Sequence, residues 1–92
     1  MYRLSNLAAE DFAAIFEYSL LTFGLEQADS YLGSLEDFFQ LLIDNPYIGV
    51  DRGYLHPDMR MHTFQSHNIF YIPKEHEIEI VRILHTSMEV KF

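Results

Sequence analysis

Two segments in the first half of the chain carry apolar residues at the three- and four-residue spacing of amphipathic helices. The first segment starts at Ser5 or Asn6, either of which can cap a helix, and ends at Gly24. The second begins almost at once and stops at Asn45-Pro46. Because the connection is so short, the pattern predicts an antiparallel helical hairpin. The apolar stripes comprise Ala8, Phe12, Ile15, Phe16, Leu20 and Phe23, then Ala28, Tyr31, Leu32, Leu35, Phe38, Phe39, Leu42 and Ile43.

The period changes to two in the second half of the chain. Residues 60–65 and 68–72 are predicted strands joined by a tight turn at Ser66-His67. The β-branched run that starts at Ile78 predicts a central strand. With a short edge strand at Tyr2-Arg3-Leu4, the chain is expected to form one α+β domain over residues 1–92. Its predicted architecture is a short N-terminal strand, an antiparallel helical hairpin and a three-stranded antiparallel meander, with the helices on one face.

Arg82 lies in the middle of the last predicted strand. An unpaired buried charge is prohibitive, so its guanidinium must reach water, a carboxylate or a partner. We therefore predict that its face of the sheet is open to a partner; the equally weighted alternative is a structural arginine paired with a carboxylate such as Glu79. Strict alternation would place Ile78, Ile80 and Leu84 on the Arg82 face, and Val81, Ile83 and a hydrogen-bonded core His85 on the face towards the helices.

The segment from Pro46 to Met59 has no clear period and is long for a connection in so small a domain. Its aromatic residues Tyr47 and Tyr54 are expected to be exposed and to anchor an interface. Arg60 is the first residue of the strand that follows this long segment, and this position favours exposure and contact with a partner. Tyr71 is expected to bury its ring and leave its hydroxyl at the rim of the same region.

The composition and charge of the chain argue against several classes of function. The chain has no cysteine and a net charge of -8, and residues 1–51 hold nine acidic residues against one basic residue. So acidic a chain is a poor candidate for direct nucleic acid binding, where cation–phosphate contacts supply much of the affinity. No metal-ligand motif, cofactor motif or transmembrane stretch is present, and the absence of cysteine fits a reducing cytoplasm.

In the order of its elements and in a set of residues at matching positions, the chain resembles the ParE toxins of the RelE/ParE superfamily. The resemblance covers most of the chain. It rests on Tyr2-x-Leu4-Ser5, Phe23-Gly24, Gln27-Ala28, Tyr31, Leu35, Pro46 with Gly49, Arg60, His67-x-Ile69-x-Tyr71, Ile80-x-Arg82-Ile83-Leu84-His85 and Met88.

The resemblance implies a small cytoplasmic bacterial toxin of a type II toxin-antitoxin system. Such a toxin arrests growth by inhibiting DNA gyrase, stabilises plasmids or chromosomal segments, and is neutralised by its cognate antitoxin in a hetero-oligomer. It would be a protein inhibitor without a catalytic residue, metal or cofactor. The candidate target-binding residues are Arg60, Arg82, Tyr47, Tyr54 and Tyr71, and the candidate antitoxin-binding residues are Phe12, Phe16, Tyr31 and Phe39.

Two alternatives stay open. A RelE-like relative would cleave messenger RNA on the ribosome with a cluster of basic residues, but residues 46–65 contain no lysine, and no tyrosine or histidine follows His85. A diverged relative would keep antitoxin binding and have a different or lost target. The sequence argues against the nuclease, but it does not distinguish a gyrase inhibitor from a diverged relative.

Overall fold

The computed structural model describes residues 1–90 and contains two helices and five strands. The predicted order of elements is confirmed. One additional short strand lies between Pro46 and Met59, where the sequence predicts no regular structure. Within the described residues, neither helix is long and apolar enough to cross a membrane. The elements are β1 (Tyr2–Leu4), α1 (Asn6–Phe23), α2 (Leu25–Asp44), β2 (Val50–Asp51), β3 (Arg60–Phe64), β4 (His67–Lys74) and β5 (Glu77–His85).

The helical hairpin forms where the sequence predicts it. The Ser5 hydroxyl accepts a hydrogen bond from the backbone N–H of Ala8 at 3.0 Å and thereby caps α1. Gly24 alone separates the helices, and its φ of +94° is readily accessible to glycine and costly for other residues. This single-residue connection turns the chain back on itself and starts α2 immediately.

The five strands form one mixed sheet in the order β1-β5-β4-β3-β2. β1 pairs with β5 in parallel, whereas β2, β3, β4 and β5 form successive antiparallel pairs. β2 was not predicted, because two residues in an aperiodic segment carry no strand signal. The β3–β4 turn lies at Gln65-Ser66, since Phe64 pairs with His67, so the predicted turn at Ser66-His67 is one residue too late.

A β-bulge in β5 overturns the predicted alternation of that strand. Phe70 pairs with Arg82 while Tyr71 pairs with Ile80, which leaves Val81 as an extra residue. As a result Ile80 and Ile83 both pack in the core below the helices, while Leu84 packs on the opposite face. The prediction that Ile78 and Ile80 share a face with Leu84 is wrong, because one inserted residue reverses the alternation beyond it.

The main core lies between the sheet and the helical hairpin. A smaller cluster on the other face consists of Met59, Phe70 and Leu84, with Leu55 of the preceding segment packed against it. The face predicted to be open is therefore partly covered by residues 52–59. The main core is built from Ala8, Leu35, Phe38, Phe39, Leu42, Ile69, Tyr71, Ile78, Ile80 and Ile83.

Candidate interaction surfaces

Tyr71 holds the segment before β2 in place. Its ring is fully buried, and its hydroxyl donates a hydrogen bond to the carbonyl of Pro46 at 2.8 Å and accepts one from the N–H of Gly49 at 3.0 Å. A side chain at position 49 would collide with this hydroxyl, since a Cβ built there lies 2.5 Å from it. Burial raises the pKa of Tyr71, so the hydroxyl keeps the proton that it donates. The hydroxyl is thus part of the support and does not reach the rim as predicted.

Arg60 fixes the same segment from the first residue of β3. Its Nη1 donates to the carbonyl of Gly49 at 2.8 Å and to that of Tyr47 at 3.3 Å. Its guanidinium carbon also lies 5.0 Å from the centre of the Tyr47 ring, within the range of a cation–π contact. Arg60 is therefore engaged in organising the segment and is only partly exposed.

The segment that Tyr71 and Arg60 hold in place exposes aromatic and aliphatic side chains to solvent. Tyr47 and Tyr54 are 71% and 80% exposed, as the sequence predicted, and Ile48 and Val50 lie exposed between them. We call residues 47–54 the aromatic loop. Tyr71 and Arg60 restrain its backbone at Tyr47 and Gly49, and the N–H of Gly53 donates to Asp51 at 2.7 Å, so the loop offers a preformed surface, of the kind that binds without a large ordering cost.

Arg82 is not on an open face. Its Nε and Nη2 donate to the two carboxylate oxygens of Asp11 in α1, at 2.8 and 2.9 Å. The same carboxylate accepts the N–H of Ile83 at 2.9 Å. This pairing raises the pKa of Arg82 further above its ordinary value. The structure thus corresponds to the structural-arginine alternative, with Asp11 as the partner in place of Glu79.

The other cations of the described residues are dispersed. Lys74 lies 3.7 Å from Glu79, and Arg52 donates to the carbonyl of Asp51. Arg3 is exposed on β1, at the opposite edge of the sheet from the aromatic loop. Of the lysines and arginines in residues 1–90, Arg60, Lys74 and Arg82 are thus each engaged by a carbonyl or carboxylate of the chain itself. Residues 1–90 also contain no group of three or more histidine, cysteine, aspartate or glutamate side chains arranged to hold a metal ion.

A cleft of about 750 Å³ lies between the helical hairpin and one end of the sheet. We call it the hairpin cleft. Residues of α1 and of the first turns of α2 line it together with the β3–β4 turn and residues 83–88 at and after the end of β5. Its principal apolar residues are Ile15, Tyr18, Phe23, Ile83 and Met88.

Two histidines of the sheet, His67 and His85, and Tyr31 of α2 line the hairpin cleft. The Tyr31 hydroxyl and Nδ1 of His67 share a hydrogen bond of 2.7 Å, and the His67 and His85 rings are 5.6 Å apart. The pKa of His67 is lowered, mainly by burial and further by His85, although Asp11 opposes this. His85 itself is exposed and bonds to Ser87 at 2.7 Å, so its prediction as a core histidine is wrong: β5 ends beyond the cover of the helices.

The four predicted antitoxin-binding residues occupy different environments. Tyr31 lines the hairpin cleft, whereas Phe39 is fully buried in the core and packs against the rings of Tyr2 and Phe12. Phe12 and Phe16 are half-buried on α1. Phe39 can influence a partner only through the shape of the surface above it.

Sequence reasoning missed Asp11 and underrated Gly49. Asp11 looks like an ordinary solvated acidic residue, and its partner lies 71 positions away in the chain. The role of Gly49 becomes clear only in the structure, where the buried hydroxyl of Tyr71 lies beside it. Neither contact has a local sequence signal.

Comparison with known proteins agrees with this geometry. The family model of the ParE toxin of the type II toxin-antitoxin system parDE matches residues 2–90. Toxin ParE1 of Caulobacter vibrioides is 33% identical over 90 residues, covering 98% of this chain and 93% of that protein. Toxin ParE1 of Mycobacterium tuberculosis is 32% identical over 90 residues, covering 97% and 92%.

A solved structure described as the chromosomal ParDE TA system from P. aeruginosa has the same fold. It superposes with a TM-score of 0.74 at 23% identity and covers 91% of this chain and 92% of that one. The family model spans nearly the whole chain, and the curated relatives match along almost their full lengths. The chain therefore belongs to the ParE toxin family of type II toxin-antitoxin systems.

Proposed function

We propose that this ParE-type toxin arrests bacterial growth by binding and inhibiting DNA gyrase through its aromatic loop. The observation that carries the proposal is the restrained loop itself. Tyr47 and Tyr54 are exposed aromatic side chains on a backbone that Tyr71 and Arg60 hold by four hydrogen bonds. Exposed tyrosines on a rigid support are typical anchors of protein–protein interfaces.

The roles of the five candidate target-binding residues then differ. Tyr47 and Tyr54 contact the target directly, with Ile48 and Val50 adding apolar area. Arg60 and Tyr71 position the loop. Arg82 contributes through the fold, since Asp11 already engages its guanidinium.

A protein target is favoured over RNA by the distribution of charge. Cleavage of RNA requires cationic groups where charge develops on the transferred phosphate. Within residues 1–90, Arg82 is paired with Asp11, Arg60 donates to a loop carbonyl and Lys74 lies 3.7 Å from Glu79, so these three cations are engaged by groups of the chain itself. The endoribonuclease alternative therefore lacks the electrostatic support that its chemistry would need.

The second partner in this proposal is the cognate antitoxin. The solved structure with the same fold is described as a ParDE toxin-antitoxin system. We place the antitoxin on the helical hairpin, away from the aromatic loop, and both partners meet the toxin in the cytoplasm. Tyr31, Phe12 and Phe16 remain candidate contacts on that side.

The experiment is controlled expression in a bacterial host with plasmid topology and messenger integrity followed together. The proposal predicts loss of negative supercoiling or cleaved plasmid DNA before growth stops, with messenger RNA intact. Cut messenger with normal supercoiling would instead establish the nuclease alternative. Growth arrest with both unchanged would mean that the target is neither gyrase nor messenger RNA.

A further inference from the structure

His67 and His85 lie directly opposite each other at one end of the sheet. His67 is the first residue of β4 and His85 is the last residue of β5, and the two are register partners in the antiparallel pairing. Such partners place their side chains on the same face, with Cβ atoms about 4.5–5.5 Å apart. The two imidazole rings are 5.6 Å apart, with their planes at 84°. The pair joins distant parts of the sequence, so no local motif marks it.

Each of these histidines has a hydroxyl group beside its Nδ1. The Tyr31 hydroxyl lies 2.7 Å from Nδ1 of His67, and the Ser87 hydroxyl lies 2.7 Å from Nδ1 of His85. A histidine that donates its Nδ1–H to an oxygen carries its lone pair on Nε2, and such outer contacts orient the histidines that bind metals. In the other tautomer of His85, Nδ1 accepts the N–H of Ser87 at 3.1 Å. Because His85 is exposed, water can take over this N–H when a metal selects the first tautomer.

The separation of the two rings fits one shared metal ion. A zinc ion lies about 2.0–2.1 Å from a ligating nitrogen. If both Nε2 atoms bind the same ion at an angle between tetrahedral and linear, the ring centres are about 5–6.5 Å apart. The observed 5.6 Å falls in this range, and the exposed His85 ring is able to turn towards the ion. The hairpin cleft, with about 750 Å³ of space, leaves room for the water molecules that complete the coordination.

The surroundings of the pair favour a cation. Asp11 lines the same cleft, and the chain carries a net charge of -8. Arg82 shares the charge of Asp11, so the wider acidic charge of the chain supplies most of the attraction. Imidazole nitrogens suit zinc, copper and nickel ions, whereas magnesium and calcium prefer oxygen ligands. The chemistry of the pair therefore selects a transition-metal ion.

We propose that Nε2 of His67 and Nε2 of His85 together bind one divalent transition-metal ion, with zinc as the reference ion and water in the remaining positions. Tyr31 and Ser87 act as positioning residues, because their hydroxyl groups accept the Nδ1–H of the two ligands. The ion cross-links the start of β4 to the end of β5 and binds only the folded chain in this way, so it stabilises the fold. The inference is independent of the proposed gyrase target.

The test is a titration of zinc chloride into the purified full chain, without a histidine tag, followed by NMR of the histidine ring nitrogens. We expect the Nε2 signals of His67 and His85 to change together, while those of His56, His62 and His76 change little. At about five times the dissociation constant, zinc should raise the thermal unfolding midpoint by about 4–8 °C, and magnesium chloride should not. Changes confined to other histidines, or equal stabilisation by magnesium, would overturn the proposal.

Histidine variants establish whether the two rings act as one site. His85→Gln removes a ligand at an exposed position and should weaken zinc binding at least about tenfold. His67→Gln should have the same effect, and the double variant should bind little more weakly than either single variant, because the two ligands act as a unit. His76→Gln, whose side chain is 91% exposed in the β4–β5 turn, is the control and should bind zinc like the wild type. Circular dichroism establishes that each variant is folded.

Tyr31→Phe tests the positioning role separately. The change keeps the ring and removes the hydroxyl beside His67, so zinc binding should weaken about tenfold. Unchanged zinc binding in folded His85→Gln would contradict the proposal, whatever the stability of the other variants. Sedimentation in the presence of zinc must show a monomer. A dimer that forms only with zinc would mean that the ion joins two chains, and the site within one chain would be wrong.

Discussion

Asp11 and Arg82, 71 residues apart in sequence, form a two-point ion pair between α1 and β5, with N–O distances of 2.8 and 2.9 Å. The pair lies beside the bulge at Val81, where β5 departs from regular alternation. Both side chains are largely shielded from water, with 16% and 14% of their surface exposed. The contact fixes the first helix against β5 and explains how an arginine is accommodated where β5 continues beyond its pairing with β1.

Asp11→Asn is expected to destabilise the protein strongly. The amide keeps the shape of the carboxylate, but the mostly buried Arg82 guanidinium loses the carboxylate that binds it at two points. Loss of one member of such a pair typically costs about 3 kcal/mol of unfolding free energy. Urea denaturation measures the effect. Glu17→Gln, an exposed change on the same helix, is the control and should stay within about 0.5 kcal/mol. Equal effects would show that the pair contributes nothing specific.

Tyr71→Phe is expected to loosen the aromatic loop and leave the fold intact. The substitution removes the hydroxyl that bonds to Pro46 and Gly49 and keeps the buried ring. We expect a loss of about 1–2 kcal/mol in stability. Hydrogen exchange at the Gly49 amide should accelerate markedly. Tyr54→Phe, which removes a hydroxyl from an exposed ring, should leave that exchange unchanged. Unaltered protection of Gly49 in Tyr71→Phe would contradict the assigned support.

Two glycine substitutions should have opposite effects. In Gly49→Ala the new methyl group would lie 2.5 Å from the Tyr71 hydroxyl, so the loop must shift; we expect a loss of about 1–3 kcal/mol. In Gly33→Ala no atom outside the helix lies within 4 Å, and alanine is the better helix former. This control should gain about 0.5–1 kcal/mol. Thermal unfolding of both variants decides the matter, and a tolerated Gly49→Ala would mean that the loop is free to move.

His67 is expected to make stability fall with acidification. Its pKa in the folded protein is below the ordinary value of 6.5, mainly because of burial and secondly because of His85. Well above pH 6.5 this site is neutral in both the folded and the unfolded state, so it does not affect stability there. As pH falls below 6.5 the unfolded chain binds the proton first, so stability declines until the folded-state pKa is also passed.

The pH dependence of urea midpoints in the wild type and in His67→Gln tests this linkage. The variant should lose part of the decline between neutral and acidic pH. His76→Gln, whose side chain is 91% exposed in the β4–β5 turn, should keep the wild-type profile. If His67→Gln retains the full decline, the titration responsible lies at another group.

The regular part of the fold was predictable because it is periodic. The helical hairpin follows from the spacing of apolar residues, with Gly24 between its two helices and Asn45-Pro46 at its end, and the meander follows from alternation after Met59. Two features were not predictable for the same reason. β2 is only two residues long, and the bulge at Val81 inserts one residue without any change in composition. Because of this one inserted residue, strict alternation assigns Leu84 to the wrong face of the sheet.

The candidate sites were partly predictable. The exposure of Tyr47 and Tyr54 follows from aromatic residues in an aperiodic segment, and the structure has both at the surface. The partner of Arg82 and the burial of Tyr71 depend on contacts between distant parts of the chain, which no local pattern encodes. The predicted binding roles themselves remain predictions. Lys91 and Phe92, the last residues of the C-terminal tail, lie outside the described residues.

Inhibition of purified gyrase by the wild type and by an aromatic-loop variant, Tyr47→Ser with Tyr54→Ser, is the most direct measurement. The wild type should block supercoiling of relaxed plasmid or trap cleaved plasmid. The loop variant should need a concentration at least about tenfold higher, since each tenfold corresponds to about 1.4 kcal/mol of binding. His76→Gln should act like the wild type. Normal supercoiling in the presence of excess folded wild-type protein would contradict the proposed target, and equal inhibition by the loop variant would contradict the proposed surface.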